Sequence, residues 1–212
     1  MTAWLDAVAE FGRRAWLAHV DWMLVGSAAS ALQGARIEPA DIDVLVRRPI
    51  DVALLAGHLY DLAETTPTGR ERPTFRSSVP EPLLWYEEDG WSWTFGRWFL
   101  GGIRLEVAHI IGPPSDLVET WGDRVWEVRR DVTVDGVTAP CVPLEVQVAT
   151  AMARKDEPRR HRLTDALLVQ QVDARLLTEA MLGRGYHRPD TITNYPDVLA
   201  LLPARMRPKR LP

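Results

Sequence analysis

The stretch from Val25 to Val46 constrains the fold of this chain more than any other. Asp21-Trp22-Met23-Leu24-Val25 reads as a short buried strand that ends at Gly26. Ser27 can then cap a helix through Ala28 to Gln33, which stops near Gly34. Thirteen residues (28 to 40) separate the Gly26-Ser27 step from Asp41-Ile42-Asp43. The apolar residues Ile42, Val44, Leu45 and Val46 make this next segment a strand. Side chains alternate along a strand, so Asp41 and Asp43 leave the same face, about 7 Å apart along the backbone. The whole unit is therefore strand, tight turn, helix, strand, with two acids at a fixed spacing.

Each part has a physical job. A glycine directly after a buried strand lets a polyphosphate approach the backbone, because no Cβ stands in the way. Ser27 offers a hydroxyl beside the free N–H groups of a helix start, a ready anion site. Paired carboxylates on one rigid strand suit a hard cation such as Mg²⁺, which binds through one or two carboxylates plus substrate phosphates. In a two-metal scheme a third carboxylate completes the second site. Phosphoryl or nucleotidyl transfer is the chemistry this arrangement fits.

The remainder of the chain supplies the setting. Residues 2 to 19 place Trp4, Leu5, Val8, Phe11, Ala15 and Leu17 at near-helical spacing. Asp51 is placed to cap a helix over 52 to 63, and residues 64 to 82, with five prolines or glycines, read as a loop over the site. Strands are expected at Leu83 to Tyr86, Trp91 to Phe95, Ile103 to Ile110 and Val125 to Val134, with turns at Glu87-Glu88-Asp89-Gly90 and Asp135-Gly136. Helices follow over about 144 to 156, 158 to 171 and 173 to 183, then an irregular basic tail with one helical turn near 197 to 202. The expected division is a unit over 1–140 and a helical region over 141–212.

Composition excludes several classes. The 212 residues suffice for a real core, and a net charge of −4 argues against a whole-surface nucleic-acid binder. A single cysteine, Cys141, in a proline-flanked loop permits no internal disulfide, which fits a reducing cytoplasm. No apolar run approaches a membrane span, and the N-terminus lacks a signal-peptide pattern. The five histidines show no metal-ligand spacing, and neither Gly-x-Ser-x-Gly nor a Walker A loop occurs. Five of nine tryptophans (Trp85, Trp91, Trp93, Trp98, Trp121) fall in the middle third, where sheet packing is the expected use over ring stacking.

Val25-Gly26-Ser27 followed by Asp41-Ile42-Asp43-Val44 resembles the signature of the nucleotidyltransferase superfamily, the DNA polymerase β-like fold. The spacing here sits at the long end of that pattern. The resemblance implies an α+β fold, a short mixed sheet flanked by helices, with a helical C-terminal region. It implies two Mg²⁺ ions held by Asp41, Asp43 and a third acid on a later strand. It also implies an NTP donor whose NMP passes to a hydroxyl acceptor with release of pyrophosphate. Glu106 is the best third acid, because Arg104, Glu106 and Ala108 share one face of their strand while Ile103, Leu105 and Val107 share the apolar one. Glu119, Glu127 and Asp131 rank lower, since they lie beyond the Gly112-Pro113-Pro114 break.

The densest charge run, Ala153 to Asp165, resembles the Lys/Arg-rich helix junction of small bacterial nucleotidyltransferases. On that resemblance Gly26, Ser27, Lys155 and Arg159 would contact the nucleotide, Lys155 first and Arg159 second, and Asp165 would hold the junction together. A solvated helix junction explains the run as well. The acceptor stays open between a small molecule such as an antibiotic and tRNA or protein, because the acidic run Glu87-Glu88-Asp89 and the basic tail point in opposite directions. A non-catalytic nucleotide-binding or interaction module, for example a toxin–antitoxin component, is the competing reading.

Overall fold

The structure, a computed structural model, describes residues 2–62, 84–88, 90–113, 117–186 and 189–204. The expected loop 64 to 82, Asp89, and the basic residues Arg205, Arg207, Lys209 and Arg210 lie outside them, as do the side chains of Glu87 and Glu88.

The N-terminal helix α1 (Ala3–Leu17) buries Trp4, Val8, Phe11 and Ala15, the one-sided stripe its spacing predicts. Strand β1 (Trp22–Val25) is buried throughout, helix α2 (Gly26–Leu32) follows without a linker, and β2 (Asp41–Val46) returns antiparallel beside β1. Helix α3 (Pro49–His58) begins earlier than expected, and Asp51 is not its cap. Arg48 occupies that position, and Pro49 presets the first helical residue. Asp51 sits within the first turn, where its carboxylate accepts the Arg48 backbone N–H at 3.1 Å. A 3-10 turn at Tyr60–Leu62 closes this segment.

Strands β3 (Leu84–Glu88), β4 (Trp91–Leu100) and β5 (Ile103–Ile111) form an antiparallel run. The second outruns its expected end at Phe95, because the Gly101-Gly102 pair, both at positive φ, makes the hairpin turn farther on. The expected strand 125 to 134 divides. Arg124–Glu127 is a short helix, α4, that buries Val125 and Trp126, and only Arg130–Val134 is extended, as β6. Asp135-Gly136, again both at positive φ, turns the chain into β7 (Val137–Cys141). Cys141 therefore ends a strand rather than lying in a loop, and its burial pushes the thiol up to about 12.

Among the described residues seven strands form one mixed sheet in the order β3-β4-β5-β2-β1-β7-β6. The β2–β5 and β1–β7 pairs are parallel and the rest antiparallel. The C-terminal helices are α5 (Leu144–Ala153), α6 (Glu157–Leu168), α7 (Ala174–Gly183), α8 (Pro189–Thr193) and α9 (Pro196–Leu201). Every residue of α5 from Leu144 to Met152 is buried, so it is the axis on which the later helices pack. One continuous core joins α1 and the sheet to α5, α6, α7 and α9. Trp98 is fully inside it, the packing use expected of the strand tryptophans. Asp165, expected to hold the α5–α6 junction, is exposed, and the side chain that caps α6 there is Asp156, which accepts the Arg159 N–H at 3.1 Å. The buried Glu145 carboxylate ties α5 to β6 and to the start of α7, accepting from Arg130 at 2.8 Å and from the Asp173 N–H at 3.1 Å. Among the described residues no helix is long and apolar enough to cross a membrane.

Candidate active site

Strand alternation and register place the acids. In the parallel β2–β5 pair Asp41 stands beside Arg104 and Asp43 beside Glu106, while Ile42, Val44, Leu105 and Val107 turn into the core. Asp41, Asp43 and Glu106 thus share the face opposite the apolar one, as their spacing predicts. Two of them are balanced by arginines. Asp41 accepts a hydrogen bond from Arg104, and Glu106 accepts one at 2.9 Å from Arg97, its neighbour on β4. Asp43 is pushed up to about 7, first by burial and then by the charges of Asp41 and Glu106; Arg104 opposes this and Glu119 adds to it. Like charges crowded on a half-buried surface resist ionisation, and a cation relieves them.

Gly26 has a definite reason to be glycine. Its φ is +67°, and a Cβ there would stand 2.7 Å from Asp43 Oδ2. The residue type therefore keeps the acid strand in contact with the turn, in addition to leaving the backbone open. Ser27 is not the helix cap. The bound of α2 falls at Gly26, Val25 precedes it with no side-chain cap, and Ser27 lies half-buried in the first turn. The Gly26 N–H is taken instead by Glu119, which accepts it through Oε1 at 3.0 Å.

A cleft of about 200 Å³ opens over this face, lined among others by Gly26, Asp43, Glu106, Glu119, Arg154 and Arg159. Arg159 is set by its own helix start. The Asp156 side chain caps α6 by accepting the Arg159 N–H at 3.1 Å, and the guanidinium donates to Gln147 Oε1 at 3.0 Å. Arg154 is the C-cap of α5. Asp41, Ser27 and Lys155 are not among the lining residues; Lys155 follows Arg154 at φ +55° and is exposed. The structure thus brings Gly26, Asp43, Glu106 and Arg159 into one cleft.

Two lining residues escaped the sequence reading. Arg154 adjoins the lysine that was preferred, and at a helix end a one-residue shift redirects a side chain by about 100°. Glu119 was set aside for lying past the Gly-Pro break, yet it is only 2 % exposed. Its one local signal is an acid embedded in Leu117-Val118-Glu119, where burial is unexpected for a carboxylate without a partner. As for a divalent ion, the donor set has the right chemistry, carboxylate oxygens crowded enough to hold Asp43 near 7. Among the described residues no three acids, histidines or cysteines close up as a ready cage, since Asp41 and Glu106 are engaged by arginines.

No protein-family profile matches the chain, and no curated protein does. Solved structures do. A Thermotoga maritima protein assigned as a nucleotidyltransferase matches at a TM-score of 0.55 and 19% identity, over 79% of this chain and 94% of that one. ANT(2″)-Ia, solved in complex with adenylyl-2″-tobramycin, matches at a TM-score of 0.50 and 10% identity, over 88% of this chain and 100% of that one. The chain therefore has the nucleotidyltransferase fold, an α+β architecture of mixed sheet and flanking helices with a helical C-terminal region.

Proposed function

We propose that the protein is a metal-dependent nucleotidyltransferase that moves an NMP from an NTP to a hydroxyl acceptor and releases pyrophosphate. The observation that carries this is Asp43: flanked in register by Glu106, packed on a Cβ-free Gly26, and pushed up to about 7 by burial and by neighbouring acids. Such crowding is unfavourable in an empty fold and useful to one that receives a cation. Asp41, Asp43 and Glu106 would hold Mg²⁺, taking over charge that Arg104 and Arg97 now balance. When bound, the metal neutralises phosphate charge and makes the attacking hydroxyl more acidic.

The chain's own residues would do the rest by position and charge. Arg159 and Arg154 face the cleft and would draw the phosphates, with Lys155 at the mouth. Gly26 and Ser27 would bound the phosphate side. Glu106, on the open face beside Asp43, would help take the acceptor's proton. In this reading residues 1–140 carry the acids and residues 141–212 carry the arginines. The acceptor would be a hydroxyl on a small molecule such as an antibiotic; the ANT(2″)-Ia structure holds an adenylylated tobramycin. An RNA acceptor such as tRNA would draw on a broader basic surface than this mixed-charge cleft offers; a protein acceptor is the remaining alternative. The NTP pool and Mg²⁺ of a cytoplasm suit the reaction.

The test is pyrophosphate release from each NTP with Mg²⁺ over a panel of hydroxyl acceptors, wild type against Asp43→Asn. Turnover that survives Asp43→Asn would sink the reading. The arginine pairs on Asp41 and Glu106 favour one alternative, a non-catalytic nucleotide-binding or interaction module in which these acids only hold the sheet. That module would gain melting temperature with Mg²⁺ and NTP and yet release no pyrophosphate.

A further inference from the structure

Glu119 reaches the cleft from the segment 117–123 and meets Gly26 at the start of α2 and Arg159 on α6. Its Oε1 accepts the Gly26 N–H at 3.0 Å and lies 3.7 Å from the Arg159 guanidinium. Arg154 lines the same cleft. Arg184, at the end of α7, donates to Thr150 at 3.1 Å and lies over the Trp121 ring at 4.9 Å. Burial holds its guanidinium below the ordinary range, Glu119 opposes that, and Arg154 adds to it. Glu119 thus pairs with Arg159, shares the cleft with Arg154, and acts electrostatically on Arg184, which is not among the lining residues. Across the cleft the charges are those of Asp43 and Glu106.

A second observation sets Glu119 apart from a packing residue. Its Oε2 is buried without a hydrogen-bond partner, and so is Arg184 Nε. Holding the Gly26 amide needs only one neutral acceptor oxygen, which a glutamine supplies. The full negative charge answers a different need, that of the Arg159 and Arg154 guanidinium groups that share its cleft.

We propose that Glu119 is an internal counterion of the phosphate subsite: it offsets the Arg159 and Arg154 guanidinium groups when no polyphosphate is bound, and its charge sets how tightly an incoming polyphosphate is held. The idea rests on reading the cleft as the place where the donor's phosphates sit. A triphosphate brings several negative charges to the same guanidinium groups, and Glu119 repels it while shielding them. Binding is thereby weaker than the arginines alone would give, which favours release of the pyrophosphate product.

The full-length protein tests this with inorganic tripolyphosphate as the probe, titrated calorimetrically at low salt without metal. Glu119→Gln is expected to bind it about tenfold more tightly than wild type, and Glu119→Asp, which keeps the charge, within about threefold. Binding only by Glu119→Gln supports the proposal most directly. A weaker or unchanged affinity in Glu119→Gln, or no binding by either protein, overturns it. If Glu119→Gln does not fold, Glu119→Ser, which leaves room for water, takes its place with the same expectations. Pyrophosphate release from Mg²⁺ and NTP, run in parallel, separates the two ideas. Turnover with no change in tripolyphosphate affinity sinks only the counterion, whereas tighter tripolyphosphate binding with no turnover sinks only the transferase reading.

Discussion

The two walls of the cleft are built by different physics. The acid wall is two paired strands, where alternation and register leave Asp41, Asp43 and Glu106 little freedom. The arginine wall is assembled from helix ends and an irregular segment, and its geometry depends on contacts between residues distant in the chain. Glu119 and Gly26, bonded at 3.0 Å, are 93 positions apart. Strands thus set chemistry with local precision, whereas the helix ends set charge through long-range packing. Function at such a cleft is more brittle on the strand side and more tunable on the helix side.

The largest effect expected on the strand side is that of Asp43→Ala or Asp41→Ala. Each should lower turnover by roughly a thousandfold or more, equivalent to about 4 kcal/mol of transition-state stabilisation. Circular dichroism should find the fold retained, and activity within tenfold of wild type would show that the acids are structural.

Next is Gly26→Ala, which forces an L side chain into positive φ and against Asp43 Oδ2. Strain of that kind costs about 1–2 kcal/mol before the clash is counted, so the melting temperature should fall by roughly 2–8 °C. An unchanged melting point would mean that the turn and the acid strand are not locked together.

Asp43→Asn, by contrast, should stabilise the protein in the absence of metal, and only at higher pH. The folded pKa of Asp43, about 7, is raised above its ordinary value of 3.8. The unfolded chain therefore releases its proton first as pH rises. The stability associated with the protonated group is complete below the unfolded value and is lost as pH passes through the folded one. Asparagine has no proton to lose. The variant should match wild type near pH 4 and exceed it above about pH 8, by on the order of 2–4 kcal/mol. Denaturant melts at both pH values check this, and an equal gap at both would refute the crowding of Asp43.

The smallest effects belong to the helix side. Arg154→Ala should raise KM for NTP about tenfold, and Lys155→Ala about threefold or less. The reverse order would mean that the exposed lysine, not the lining arginine, meets the phosphates.

Much of this architecture was legible beforehand. The β1–α2–β2 unit and the face shared by Asp41 and Asp43 follow from period-two alternation bounded by glycine. The choice of Glu106 rests instead on the family resemblance, and its place beside Asp43 on the β2–β5 pairing. The errors fall where short-range signals compete. Val125-Trp126 looked like strand because both are large and apolar, yet burial of adjacent residues is equally met by a helical turn. Cys141 looked like loop because of the prolines around it, yet its strand pairs parallel to β1. Asp51 and Ser27 were read as caps, and each sits one or more residues inside its helix, because Pro49 and Gly26 set where the helices start.

The sequence by itself determined the face shared by Asp41 and Asp43, since a strand dictates which side chains are neighbours within a few residues; Glu106 joins them only through the β2–β5 register. Only the tertiary structure decided the opposing wall. Which of Arg154 and Lys155 faces the cleft depends on how α5 ends. That Glu119 reaches Gly26 depends on where a segment nearly a hundred positions away is packed. Neither is encoded in any local spacing, because a buried charge is positioned by partners that only the fold brings together.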